Sequence, residues 1–135
     1  MPFTYKGITT YLSDGLIIPH PGAFCLSFES ASSNLSQGVR LRAQSGIVLA
    51  DNSMEPDLIF WMQTSPSVIR LTMAKCDEIL TIYNAWHFGN PDQIEAGHGG
   101  AAMRREPLQN GFRYCCNDFA IDDDFDDLIF SISWP

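Results

Sequence analysis

Apolar residues recur at every second position along short stretches of this chain, and Gly, Pro, Asn, Asp or Ser close off each stretch. At 23–28 the residues Phe24, Leu26 and Phe28 fall on one side. At 39–43 Val39, Leu41 and Ala43 alternate with Arg40 and Arg42. Ile69, Leu71 and Met73 repeat the pattern, as do Leu128, Phe130, Ile132 and Trp134 with Ser131 and Ser133 opposite. Successive side chains on a strand point to opposite faces, so this period predicts strands with one face buried. Further short apolar runs lie at 8–12, 16–18, 46–50, 79–83 (extending towards Trp86) and 112–116. The run 58–62 is continuously apolar and reads as a strand buried on both faces. Ser13-Asp14-Gly15 reads as a hairpin turn between 8–12 and 16–18. No stretch carries a helical period, and 101–105 has room for one helical turn at most. Residues 87–111 read as one long, glycine-rich loop, of a kind that is usually functional. The expectation is a single all-β domain spanning 1–135, a sandwich or jelly roll of about eight or nine antiparallel strands.

The formal charge is −8, from 16 acidic and 8 basic residues. Asp118, Asp122, Asp123, Asp124, Asp126 and Asp127 crowd into one segment with no Lys or Arg between them. The rest of the chain is close to neutral. An acidic chain without a basic stripe is not built for nucleic acid or for docking on an anionic membrane. No apolar run approaches the ~20 residues of a membrane-spanning helix. The start, Met1-Pro2-Phe3-Thr4-Tyr5-Lys6, lacks the charged segment and apolar stretch of a secretory leader. A cytoplasmic protein, or one released without a visible signal peptide, is expected. Cys25, Cys76, Cys115 and Cys116 have no zinc-ribbon spacing. They are expected as reduced, mostly buried thiols, with adjacent Cys115 and Cys116 on opposite faces of a strand.

Strands flank the acidic segment on both sides. Two carboxylates about 4 Å apart repel by roughly 4 kcal/mol at an effective dielectric near 20. Aspartates this crowded either take up protons or gather around a cation. Hard oxygen donors at this density suit calcium, which takes about six to eight oxygens; magnesium keeps its waters and fits less well. The i, i+2, i+4 spacing of Asp122, Asp124 and Asp126 is not an EF-hand. Asp127 stands where a Gly is needed, Ser133 where a Glu is needed, and the flanks are strands. The plainer alternative is a solvated acidic turn that keeps the protein soluble.

The ending Asp122-Asp123-Asp124-Phe125-Asp126-Asp127-Leu128-Ile129-Phe130-Ser131-Ile132-Ser133-Trp134-Pro135 resembles that of the small calcium-dependent bacterial lectins that bind fucose and mannose. The resemblance implies that Asp118 stands at a bridging glutamate of that family. Asp122, Asp124 and Asp127 match aspartate ligands, and Asp126 matches an asparagine ligand. It also implies a β-sandwich, a pair of calcium ions contacting sugar hydroxyls, and dimers or tetramers. The family's site is completed by a C-terminal carboxylate from a neighbouring subunit. The likeness is confined to this C-terminal stretch.

Other candidates are weaker in pattern. Asn117, Phe119, Asp123, Trp86, His87 and His98 are candidate ligand-binding residues beside the cation site. Trp86, Phe88 and Phe119 sit at loop margins, where an aromatic ring either stacks on a sugar or closes the core. His87 and His98 read either as an acid–base pair or as surface histidines. Arg104 and Arg105 either hold a carboxylate, meet the acidic loop, or stay solvated. No nucleophile-elbow or HExxH motif is present. Three readings follow. The first is a calcium-dependent, carbohydrate-binding module, possible as a homo-oligomer. The second is a non-catalytic structural or protein-interaction domain. The third is an enzyme with its site in the 87–111 loop.

Overall fold

The computed structural model describes residues 2–5, 7–33, 35–97, 101–118 and 125–135, and among them eleven strands form. In chain order these are β1 (Pro2–Tyr5), β2 (Ile8–Tyr11), β3 (Asp14–Ile17), β4 (Ala23–Ser30), β5 (Ser36–Val48) and β6 (Met54–Trp61). Then follow β7 (Val68–Met73), β8 (Ile79–His87), β9 (Ala102–Leu108), β10 (Gly111–Asn117) and β11 (Leu128–Ser133). No helix occurs among the described residues, and none is long and apolar enough to cross a membrane.

The strands are antiparallel and form one sheet in the order β1-β2-β9-β10-β11-β4-β7-β5-β8-β3, with β6 paired to β5. The all-β expectation holds. The sheet is nearly closed into a barrel, however, and is not a two-sheet sandwich or jelly roll. The reason lies in β5. The expected runs 39–43 and 46–50 are one 13-residue strand, and its pairing with β6 slips between Arg42 and Ile47. Before the slip β5 pairs with β8; after it, Ile47 and Val48 pair with β7. Gly46, at φ 106°, supplies the bend. A bulge of this kind carries a strand from one wall to the next.

Alternation holds on β4, β5, β7 and β11. Phe24, Leu26, Phe28, Val39, Leu41, Leu71, Met73, Leu128, Phe130 and Ile132 fill one central core. Cys116 joins it, while Cys115 packs on the opposite face against Ala102 and Phe125. All four thiols are free.

Other expectations are corrected. Residues 8–12 and 16–18 do not form a hairpin: β2 pairs with β1 and β9, and β3 pairs with β8. Asp14 opens β3, and its side chain is buried across the barrel. Residues 58–62 are not buried on both faces, because among the described residues β6 pairs only with β5 and its residues are half-buried or exposed. Residues 87–111 are not one loop, and 101–105 is not helical. β9 occupies 102–108 and forms a tight hairpin with β10. Pro107 is tolerated there because β9 pairs on its other side with β2 at Met103 alone.

The ends of the sheet meet along a seam crossed by side chains instead of a backbone ladder. Asp14 on β3 accepts from Tyr114 Oη on β10 at 2.7 Å and from Arg105 Nη1 on β9 at 2.9 Å. Asn84 on β8 donates to the Asn117 carbonyl at 2.9 Å. Gln37 on β5 donates to Asp118 at 2.9 Å. Thus β10 crosses β3, β8 and β5 in succession, and the acidic loop starts at the far end of that crossing.

Candidate metal centre at the base of the acidic loop

Two side chains close the base of the loop reciprocally. The Asp118 N–H donates to Asp127 Oδ2, and the Phe125 N–H donates to Asn117 Oδ1, each at 2.9 Å. Each arm therefore satisfies a backbone donor of the other, which a buried N–H requires. Phe125 sits at φ 52°, a left-handed conformation that bulky residues rarely adopt. Its ring is buried against Ala102, Cys115 and Ile129, with the Arg104 guanidinium 4.7 Å from the ring centroid. Burying that ring contributes roughly 2 kcal/mol, which offsets a backbone cost of about 1 kcal/mol.

Asp118 is 1% exposed and Asp127 6%. Asp118 Oδ2 accepts from Gln37 Nε2 at 2.9 Å and from the Ser33 hydroxyl. The Ser32 hydroxyl donates to the Asp126 carbonyl at 2.9 Å, and the Ser32 N–H donates to the Asp127 carbonyl at 3.3 Å. The serine-rich stretch between β4 and β5 thereby seats the exit of the acidic loop. Gln37 and Asn84 reach the site because strand alternation turns them inward. Gln37 is in phase with buried Val39 and Leu41, and Asn84 with buried Leu80 and Ile82.

Of the expected ligands, Asp118 and Asp127 are brought together by a hydrogen bond, and Asp126 is tied in through its backbone carbonyl. Asp122 and Asp124 lie outside the described residues, as do Phe119, Asp123 and His98. Among the described residues no three His, Cys, Asp or Glu side chains converge as a metal cage. The donors that are placed are carboxylate and amide oxygens, the hard set that calcium takes. Asn117 serves as a clamp. Trp86 is fully buried, so its ring presents no face to a ligand at the surface; it closes the core. His87 is also buried: its Nδ1 accepts the Gly89 N–H at 3.0 Å, and its ring stands edge-on to Trp61 at 4.5 Å. That commits His87 to the turn after β8. Arg105 is bound to Asp14 and is not simply solvated.

Ser32, Ser33, Gln37 and Asn84 were not foreseen in this site. For Gln37 and Asn84 a signal exists in the sequence, a polar residue in phase with an apolar series. For the serines there is none beyond a polar loop. No protein-family model, curated protein or solved structure matches this chain.

Proposed function

We propose that this chain is a calcium-dependent binding module whose ligand is carbohydrate. The observation that carries the reading is the burial of Asp118 and Asp127 at the clamped base of a six-aspartate segment. Charge buried this way needs compensation close by. Asp118 and Asp127, with Asp122, Asp124 and Asp126 of the same segment, would hold the ion. A bound calcium supplies open coordination positions for vicinal hydroxyls of a sugar. The chain's own part is to fix the donors: Asn117 and Asp127 set the loop base, and Ser32, Ser33 and Gln37 hold it against the barrel. The lectin-like ending is what favours a sugar over other ligands.

Calorimetric titration with calcium, followed by a panel of monosaccharides, tests the reading. Heat is expected with calcium, and with a sugar only once calcium is bound. Heat with calcium but with no sugar removes the carbohydrate claim and leaves the ion. No heat, together with a melting temperature indifferent to calcium and chelator, removes both.

A second reading, a protein-interaction domain, draws on one specific feature. Ile17 and Ile79 are register partners on β3 and β8, and they are 50% and 58% exposed. Sedimentation showing concentration-dependent self-association that is lost in Ile79→Lys would favour it.

A further inference from the structure

Cys76 and His20 meet at the end of β4 and β8 away from the acidic loop, with Cys76 Sγ 3.6 Å from His20 Nδ1. Two tethered turns build this contact. His20 lies between Pro19 and Pro21 in the turn from β3 to β4, and each proline ring fixes its own φ and stiffens the turn. The Gly22 N–H closes that turn on the Pro19 carbonyl at 2.8 Å. Cys76 lies in the turn from β7 to β8, which is tied at both ends to the bulged part of β5. The Ala74 N–H donates to the Gly46 carbonyl at 3.1 Å, and Glu78 Oε1 accepts the Ser45 N–H at 2.8 Å. The Met73 N–H donates to the Gly22 carbonyl at 2.9 Å and staples one turn to the other. Buried Ile18 and Met73 anchor both turns in the core.

We infer that Cys76 is a thiol-modification site, open to low-molecular-weight disulfides, and that His20 is the base that prepares it. The thiolate, not the thiol, is the nucleophile. The Cys76 thiol proton passes to His20 Nδ1, and the sulfur attacks one sulfur of the disulfide. The old S–S bond breaks as the mixed disulfide on Cys76 forms, and the departing thiolate takes the proton from the imidazolium. Cys76 is thereby oxidised and one half of the small disulfide reduced. Access is open on this side, because His20 is exposed and Cys76 only half-buried. The other three thiols lack the arrangement. Cys115 and Cys116 are buried, and burial pushes both thiols above their ordinary pKa. Cys25 is half-buried like Cys76, but among the described residues no side chain partners its sulfur.

Incubation with glutathione disulfide at neutral pH, followed over time by intact mass and peptide mapping, tests this. The proteins compared are the parent, Cys76→Ser, Cys25→Ser, His20→Ala and His20→Gln. The parent's first adduct is expected on Cys76, and dithiothreitol should release it. Cys25→Ser should gain that adduct at the parent's rate, and Cys76→Ser should lose it. An unassisted cysteine is only a few per cent thiolate at neutral pH. A base raises that share while the sulfur gives up some nucleophilicity, a net gain of about threefold. His20→Ala and His20→Gln should therefore both react about threefold more slowly, with the parent's melting temperature kept, since His20 is exposed. Glutamine still offers the thiol a hydrogen-bond partner but takes no proton, so a His20→Gln as fast as the parent overturns the base assignment. A first adduct on Cys25 overturns the site itself. Should Cys76→Ser not fold, the peptide map of the parent alone decides the site; should His20→Ala not fold, His20→Gln decides the base.

Discussion

Asp14 and Asp118 are both buried carboxylates on the seam of the barrel, 7% and 1% exposed, and each ties one wall to another. Their described partners differ in kind. Asp14 meets the Arg105 guanidinium at 2.9 Å and the Tyr114 hydroxyl at 2.7 Å. Arg105 is itself held between the rings of Tyr11 and Phe112, at 4.9 and 4.6 Å. The charge of Asp14 is thus answered by the chain. At Asp118 the placed donors are a serine hydroxyl and a glutamine amide, and at Asp127 a backbone N–H. These neutral groups orient the two carboxylates. One fold holds both arrangements a few residues apart along β10, and the calcium reading proposed above assigns an ion to the second alone.

The largest expected effect separates the two sites. Asp14→Ala leaves the buried Tyr114 hydroxyl and the Arg105 guanidinium without their acceptor. The loss is expected to be about 3 kcal/mol, allowing for the partly exposed Arg105. Urea midpoints should fall by the same amount in calcium and in chelator. A loss that calcium largely repairs would mean that Asp14 belongs to the ion's surroundings, and the contrast would collapse.

Next in size is the charge at Asp127. Asp127→Asn keeps an oxygen to accept the Asp118 N–H, so stability in chelator should change by under about 1 kcal/mol. In the parent, calcium at a hundred times its dissociation constant is expected to add about 2.7 kcal/mol. In the variant that gain should nearly vanish. If Asp127→Asn responds to calcium as the parent does, the loop base is a clamp and nothing more.

What could be foreseen follows from how local each cause is. β4, β7 and β11 were legible because each buries one face, so burial is written as alternation. β9, Ala-Met-Arg-Arg-Glu-Pro-Leu, shows no such period; it is a strand because β10 folds back on it from Gly111. The false hairpin at 13–15 has the same origin. Asp14-Gly15 is a good local turn, but Asp14 is drawn into β3 by Tyr114 and Arg105, about a hundred residues away in sequence. At the site, the aspartates announce themselves by density. Ser32, Ser33, Gln37 and Asn84 come from three other segments, and only the sheet order brings them there.

The smallest effect lies at high pH and concerns the Asp14 side alone. Burial, then the hydrogen bond to Asp14 and its charge, push the Tyr114 phenol far above its ordinary value of 10.0. A folded-state value raised in this way stabilises fully below the unfolded pKa and is lost as pH climbs past it. Stability should therefore decline above pH 10, by about 1 kcal/mol at pH 10.5. Of the 4 tyrosines, Tyr114 should give its phenolate absorbance only as the protein unfolds, and Tyr114→Phe should remove that late step. A Tyr114 phenolate forming near pH 10 in the folded protein would mean the seam admits water there. Run in calcium and in chelator, the same titration probes the strand the two sites share. Tyr114 and Asn117 both lie on β10, so a late step moved by calcium would show that the loop and the Asp14 cluster act as one unit. An unmoved step would show that β10 is stiff enough to keep them apart.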